Sequence, residues 1–220
     1  GSESGTVGYP CWSTFATPFS HSNATEDVKG YTERLKHGDV TGKHWVPAMA
    51  DTPLRGANGR HEWFWEPDDE NNVYSLETLM EMYEQSVGRN ATLIVGLTPD
   101  PSGLIPAGDY RRLEEWGQEI RRRWGVPLAR TSGAGRQLTL TLNDTPEVNY
   151  YVLQEDISKG ERIRSYEIEA KVDGRWMRVA QGESVGHKRI EKIGPLKASA
   201  FRVKVTASAT PPEIRDFSVY

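Results

Sequence analysis

The spacing of hydrophobic residues changes once along this chain, near Gly125, and the change divides it in two. Between Ser75 and Trp124 the apolar positions recur at helical spacing. Leu76, Leu79, Met80, Tyr83 and Val87 share a face, with Glu77, Glu81 and Glu84 between them, which predicts an amphipathic helix. Ser75 stands at the N-cap position, and Gly88 stands where a left-handed residue commonly ends a helix. The run Ala91–Leu97 is almost wholly apolar, as expected of a strand buried on both faces. Thr98–Gly103, TPDPSG, reads as loop. A second helix is predicted after it, with Tyr110, Leu113, Gly117, Ile120 and Trp124 on one face. Helix, two-sided strand, loop and helix is the repeating unit of an α/β protein, in which the loop beyond the strand's C-terminal end carries the chemistry.

Beyond Gly125 the period falls to two. Residues 126–136, holding Pro127, Ser132, Gly133 and Gly135, read as a linker. Residues 137–220 then alternate: Leu138, Leu140 and Leu142; Val148, Tyr150 and Val152; Tyr166, Ile168, Ala170 and Val172. Asp173-Gly174 is a strong hairpin signal, with Trp176 and Val179 on the returning strand. Phe201, Val203 and Val205, then Ile214, Phe217 and Val219, predict two more strands. So many short strands describe a β-sandwich, either a sugar-binding module or a structural prop. No exposed aromatic ladder speaks for the first use.

The opening residues behave differently. Residues 1–44 show little periodicity and many glycines and prolines, interleaved with Tyr9, Trp12, Phe15 and Phe19, and read as a packed surface loop. His44–Ala50 reads as a short strand leading through Asp51-Thr-Pro to the aromatic cluster His61–Pro67, HEWFWEP.

Composition narrows the function. The net charge of -4 gives no basic field for nucleic acid, and no apolar run is long enough to span a membrane. The one cysteine, Cys11, excludes an internal disulfide framework. His21, His37, His44 and His61 show no metal-ligand spacing, and no Gly-rich phosphate loop or Ser/His/Asp order stands out, so neither metal nor cofactor is expected. Asn23-Ala-Thr25 and Asn90-Ala-Thr92 match a glycosylation sequon that is common by chance. Glu3, taken alone, reads as a solvated carboxylate. Trp63, Phe64 and Trp65 are either core residues or a platform for the apolar face of a sugar ring. Gly1-Ser2 reads as an expression scar, or the chain starts partway through a longer protein. The second is expected, because an eight-stranded α/β barrel takes ~250 residues and the α/β portion offers about half that.

Four stretches, taken in order, resemble the C-terminal half of a glycoside hydrolase family 29 α-L-fucosidase, of the branch acting on α-1,3/1,4-linked fucose. Gly1-Ser-Glu-Ser-Gly5 with Tyr9-Pro-Cys-Trp-Ser13 is similar to the family's GNExG segment and following W-S. His44-Trp-Val-Pro-Ala48 resembles its W-x-P-A-E strand, and Trp63-Phe-Trp-Glu-Pro67 its G-W-F-Y/W-H segment. Tyr83–Asn90 running to Pro99–Ile105 resembles Y-x-S-V-G-R-N…L-L-N-V-P-P-x-x-x-G-L-I and is the most specific of the four. The resemblance covers residues 1 to about 125, and family members often carry a β-sandwich like the one predicted here.

The resemblance implies a (β/α)8 barrel and a retaining mechanism, in which an Asp attacks the anomeric carbon and a Glu acts as general acid and then base. The matched Glu is Glu3. The nucleophilic Asp falls upstream of this chain, so an N-terminal portion or chain of the same enzyme is the expected partner. Trp63 matches the aromatic beside the fucose ring; Trp65, Trp12 and Arg55 are grouped with it as substrate-binding residues. The implied substrate is a fucosylated oligosaccharide or glycan, and the implied location is secreted or periplasmic. The sequence departs from the pattern at Ser2 for Asn, Met49 for Glu, Gly96 for Asn and Glu66 for His, and Gly56–Arg60 reads as an insertion. Loss of polar groups at Met49 and Gly96 keeps open the alternative of a non-catalytic carbohydrate-binding protein derived from this family.

Overall fold

A small parallel sheet organises the first half of the chain. In the computed structural model, which describes residues 2–6, 14–17, 44–46, 48–57, 63–67, 69 and 72–220, the first strands are β1 (Ser2–Thr6), β2 (Thr14–Thr17), β3 (His44–Val46) and β4 (Ala48–Pro53). Helix α1 (Leu76–Ser86), strand β5 (Thr92–Gly96) and helix α2 (Ala107–Trp124) follow. β1, β4 and β5 pair in that order, all parallel, while β2 and β3 form a separate antiparallel pair. None of the described helices is long and apolar enough to cross a membrane.

The two helices cover one face of β5. Leu79, Met80 and Met82 of α1 and Trp116 of α2 are buried with Leu54, and Leu93 and Val95 of β5 pack against them. Side chains alternate across a strand, so Thr92 and Ile94 face the other way, and Ile94 is 46% exposed. Among the described residues, then, one face of Ala91–Leu97 is covered and the other is open. An apolar strand composition records what the strand tolerates, not which neighbours are present.

Helix boundaries follow local chemistry with two corrections. The Ser75 hydroxyl accepts from the Thr78 backbone N–H at 3.1 Å, as the N-cap reading requires. The left-handed residue beyond α1 is Asn90, at φ 66°, and not Gly88. Gly88 is instead a point of close approach: its carbonyl accepts from the Ile190 N–H at 2.8 Å, and a Cβ there would lie 3.1 Å from the Ile190 Cβ. In α2 the inward stripe is Asp109, Leu113, Trp116, Ile120 and Trp124. Tyr110 lies off it, 65% exposed, because burial of Asp109 and Trp116 sets the helix phase.

The second half consists of β6 (Ala129–Ala134), β7 (Gln137–Thr141), β8 (Glu147–Glu155), β9 (Ile163–Val172), β10 (Arg175–Gly182), β11 (Arg189–Lys197), β12 (Ala200–Ser208) and β13 (Glu213–Val219). They make two four-stranded antiparallel sheets, β10-β9-β12-β7 and β11-β8-β13-β6. Side chains from both, among them Leu140, Tyr151, Leu153, Ile168, Phe201, Val203, Ile214 and Phe217, share one buried core. The Asp173-Gly174 turn has φ 49° and 78°, the paired positive values of a type I′ hairpin, and joins β9 to β10.

Two readings of this half need correction. Most of residues 126–136 is not linker: Ala129–Ala134 is an edge strand paired with β13, its Gly and Ser positions disguising a ladder that β13 completes. In β8 the core side chains are Val148, Tyr151 and Leu153, whereas Tyr150 points to Trp124 of α2, ring centroids 5.8 Å apart and edge-on. Trp124 also stacks on Tyr83 of α1 at 5.4 Å, so the three rings join the halves. Asn90 adds to the joint, donating to the Glu161 carboxylate at 2.8 Å and accepting from the His187 N–H at 2.6 Å.

Candidate functional site

The C-terminal ends of β4 and β5 are where the chain assembles chemistry. β4 runs directly into Leu54 and Arg55, both buried, and Arg55 anchors everything that follows. Its Nε and Nη2 donate to the two carboxylate oxygens of Asp109, at 3.1 and 2.7 Å, and its Nη1 donates to the Asp69 carbonyl at 2.7 Å. This two-pronged pairing suits a planar guanidinium, and a carboxylate in the first turn of α2 also complements the helix dipole. Arg55 is 1% exposed, with each nitrogen engaged inside the protein. In this chain it ties the segment after β4 to the start of α2.

That segment carries the tryptophans. The Trp63 ring lies against Gly96, the last residue of β5, so closely that a Cβ on Gly96 would stand 2.8 Å from the ring's Cζ3. The missing side chain at position 96 is thus the seat of the indole, which remains 43% exposed. Phe64 is exposed beside it, and Trp65 is partly buried. Trp65 lines a pocket with Asp100, Leu104, Ile105 and Tyr110, formed by the loop after β5 and the first turn of α2.

The loop itself is rigidly built around Asp100. Its Oδ1 accepts from the Ser102 N–H at 2.8 Å, the Ser102 hydroxyl at 2.5 Å and the Leu104 N–H at 3.2 Å. The Ser102 hydroxyl, then the Leu104 N–H, hold this carboxyl below the usual aspartate range. Gly103, at φ 84°, makes the turn that lets the loop close on itself.

Glu3 sits elsewhere along the sheet. It pairs in register with Met49, which pairs in turn with Thr92, four residues before the Pro53–Gly96 pair that ends the sheet. At ~3.3 Å per residue, about 13 Å of strand separate that level from Trp63. The fold therefore brings Trp63, Gly96, Trp65 and Asp100 together and leaves the backbone of Glu3 at the other end of β1. The β1 register shifts between Glu3 and Gly5, a bulge immediately beside the residue. Trp12 lies outside the described residues.

One carboxylate was missed by sequence reasoning. Asp51 of β4 is half-buried and in register with Ile94, hence on the open face of the sheet, with Thr6 of β1 opposite. An acid at an alternating position in a short strand was the available signal. Among the described residues no group of His, Cys, Asp and Glu is arranged to hold a metal.

Similarity to known proteins spans the whole chain. No family model matches it. A solved structure from Bacteroides thetaiotaomicron, described as a "putative alpha-L-fucosidase", is 64% identical with a TM-score of 0.88, covering 100% of this chain and 49% of its own. The curated alpha-L-fucosidase 1 of Arabidopsis thaliana is 28% identical, covering 100% of this chain and 48% of that protein. A solved glycoside hydrolase 29 family member from an unknown rumen bacterium is 26% identical with a TM-score of 0.79, covering 100% of this chain and 39% of its own. The chain spans about half the length of the curated relatives it matches.

Proposed function

We propose, on the premise that this chain is a homologue of the glycoside hydrolase family 29 α-L-fucosidases, that it forms part of a retaining enzyme releasing terminal α-1,3/1,4-linked fucose from glycans. The observation that carries this reading is similarity along the entire chain to proteins bearing the fucosidase name. In this reading residues 1–125 contribute strands and helices to a (β/α)8 barrel, and residues 137–220 form the β-sandwich beside it. The parallel order β1-β4-β5, with helices on one face and Ile94 open on the other, is what a barrel segment presents.

The chemistry needs two carboxylates ~5–5.5 Å apart. An Asp from an N-terminal portion outside this chain attacks the anomeric carbon. Glu3 gives its proton to the departing glycosidic oxygen as the C–O bond breaks. Glu3 then takes a proton from water, whose oxygen displaces the Asp and releases fucose with its configuration retained. The bulge next to Glu3 supports the assignment, because bulges bend a strand and re-aim side chains beside active sites. Trp63, about four residues of strand beyond the level of Glu3, offers its exposed face to the apolar side of a sugar ring of the glycan.

The test is hydrolysis of an aryl α-L-fucoside and a fucosylated Lewis-type trisaccharide by the enzyme containing its N-terminal portion, native and Glu3→Gln. General acid–base catalysis contributes about 10²–10⁴-fold. Turnover of the trisaccharide should fall by that amount, and the aryl fucoside less, because its leaving group needs little protonation. Full activity in the Glu3→Gln variant overturns the assignment. Glycan binding without turnover in the native protein establishes the carbohydrate-binding alternative.

A further inference from the structure

We infer that Asp51 is a positioning residue for Glu3: its negative charge keeps the Glu3 carboxyl protonated and so ready to act as the general acid. This rests on the fucosidase reading, with Glu3 as acid and base. It goes beyond that reading by giving a role to a carboxylate the mechanism leaves unused. Backbone register carries it. Glu3 stands opposite Met49 and Thr6 stands opposite Asp51, so three residues of β1 span two of β4 across the bulge. In a regular parallel pair, residues three apart stand opposite positions on different faces. Here the bulge sets both opposite open-face positions of β4, Met49 and Asp51. With ~3.3 Å of rise per residue and ~4.8 Å between strands, the Cα atoms of Glu3 and Asp51 lie about 8 Å apart.

Nothing among the described residues quenches the Asp51 charge. Its side chain makes no hydrogen bond or ion pair with any of them, and Arg55, two residues beyond β4, is committed to Asp109 of α2. The open-face positions around it on the three strands are Thr6, Met49, Thr92 and Ile94, none of which titrates. α1 and α2 cover the opposite face of the sheet. The other charged group that reaches Glu3 in the proposed mechanism is the nucleophilic Asp from outside this chain. Met49 and Ile94 are apolar, so they add little screening to the field of Asp51. A like charge at this range disfavours ionisation of Glu3. A general acid has to hold its proton at neutral pH if it is to give it to the leaving oxygen.

The test uses the enzyme with its N-terminal portion and reads pH dependence, not rate. In Asp51→Asn the alkaline limb of kcat/KM on the fucosylated trisaccharide should move about one pH unit toward acid, the size expected for two charges ~8 Å apart at an intermediate dielectric. Asp51→Glu, which keeps the charge, should restore it. A limb unmoved in Asp51→Asn overturns the role, and so does an equal move in Asp51→Glu, the mark of a merely structural effect. Carbon-13 NMR titration of the Glu3 carboxyl, assigned by its loss in Glu3→Gln, reads the same charge without turnover. Native Glu3 should titrate above the ordinary glutamate value of about 4.3, and about one unit lower in Asp51→Asn. An ordinary midpoint in the native protein overturns the inference even where the variant fails to fold. Should the native enzyme leave the trisaccharide intact, the fucosidase reading fails by itself. The NMR midpoints then decide: a lower value in Asp51→Asn sustains the coupling, and equal values overturn it.

Discussion

The two-sheet half of this molecule buries the facing sides of both its sheets in one core, whereas the parallel sheet of the first half covers only one face. Phe201, Phe217, Tyr151, Ile168 and Val203 are buried between β10-β9-β12-β7 and β11-β8-β13-β6, so the module closes on itself. Across the joint, the same kinds of residue on β5 divide. Leu93 and Val95 meet α1 and α2, and Ile94 faces outward with nothing apolar over it among the described residues. β5 also has an unpaired edge in the described sheet. The difference teaches that one half carries its own partners and the other presents a seam. Open apolar faces and free strand edges invite pairing with another chain segment.

The sharpest way to break this comparison is to cut at the joint. Residues 126–220 produced alone should unfold cooperatively and stay monomeric, while residues 1–125 alone should aggregate, as size-exclusion and calorimetry will tell. A soluble, cooperatively folded first half would remove the contrast. A smaller effect is expected from Arg55→Met, which leaves the Asp109 carboxylate buried without its guanidinium. Breaking a buried pair by removing one partner costs about 3–5 kcal/mol. Amide hydrogen exchange should accelerate along α2 and leave β12 protected; equal acceleration in both would show that the halves unfold as one unit. The mildest change is Gly96→Ala, whose Cβ would press on the Trp63 ring. Overpacking of this kind costs about 1–3 kcal/mol. The Trp63 indole should move and fluoresce at a shifted wavelength, with the two-sheet half undisturbed.

Legibility in the sequence was uneven for physical reasons. The Ser75 cap, the Asp173-Gly174 turn and the alternation of β9 and β12 depend on near neighbours, and each is visible in a few residues. β6 is not legible in the sequence because Ser132, Gly133 and Gly135 have loop composition, and only pairing with β13 makes Ala129–Ala134 a strand. Period alone groups Tyr150 with Val148 and Val152; the stacked rings of Tyr83 and Trp124 supply the surface it packs on. At the site, the tryptophans of residues 63–65 and the Asp100 loop were visible as chemistry, but their grouping was not.

The sequence by itself determined the change of period at Gly125, the helix and strand types on either side, the aromatic cluster and the similarity to fucosidases, because these are written in local spacing and residue identity. Tertiary structure alone decided that Arg55 anchors Asp109, that Gly96 seats Trp63, and that Tyr110 looks out into a pocket with Asp100 and Trp65. The reason is distance along the chain. Arg55 and Asp109 are 54 residues apart in sequence, and no periodicity reveals which buried charge will meet which. Only the packing of α2 into the cluster of Leu54, Leu79, Leu93 and Val95 brings the two together, and in doing so it turns Tyr110 outward and forms the pocket.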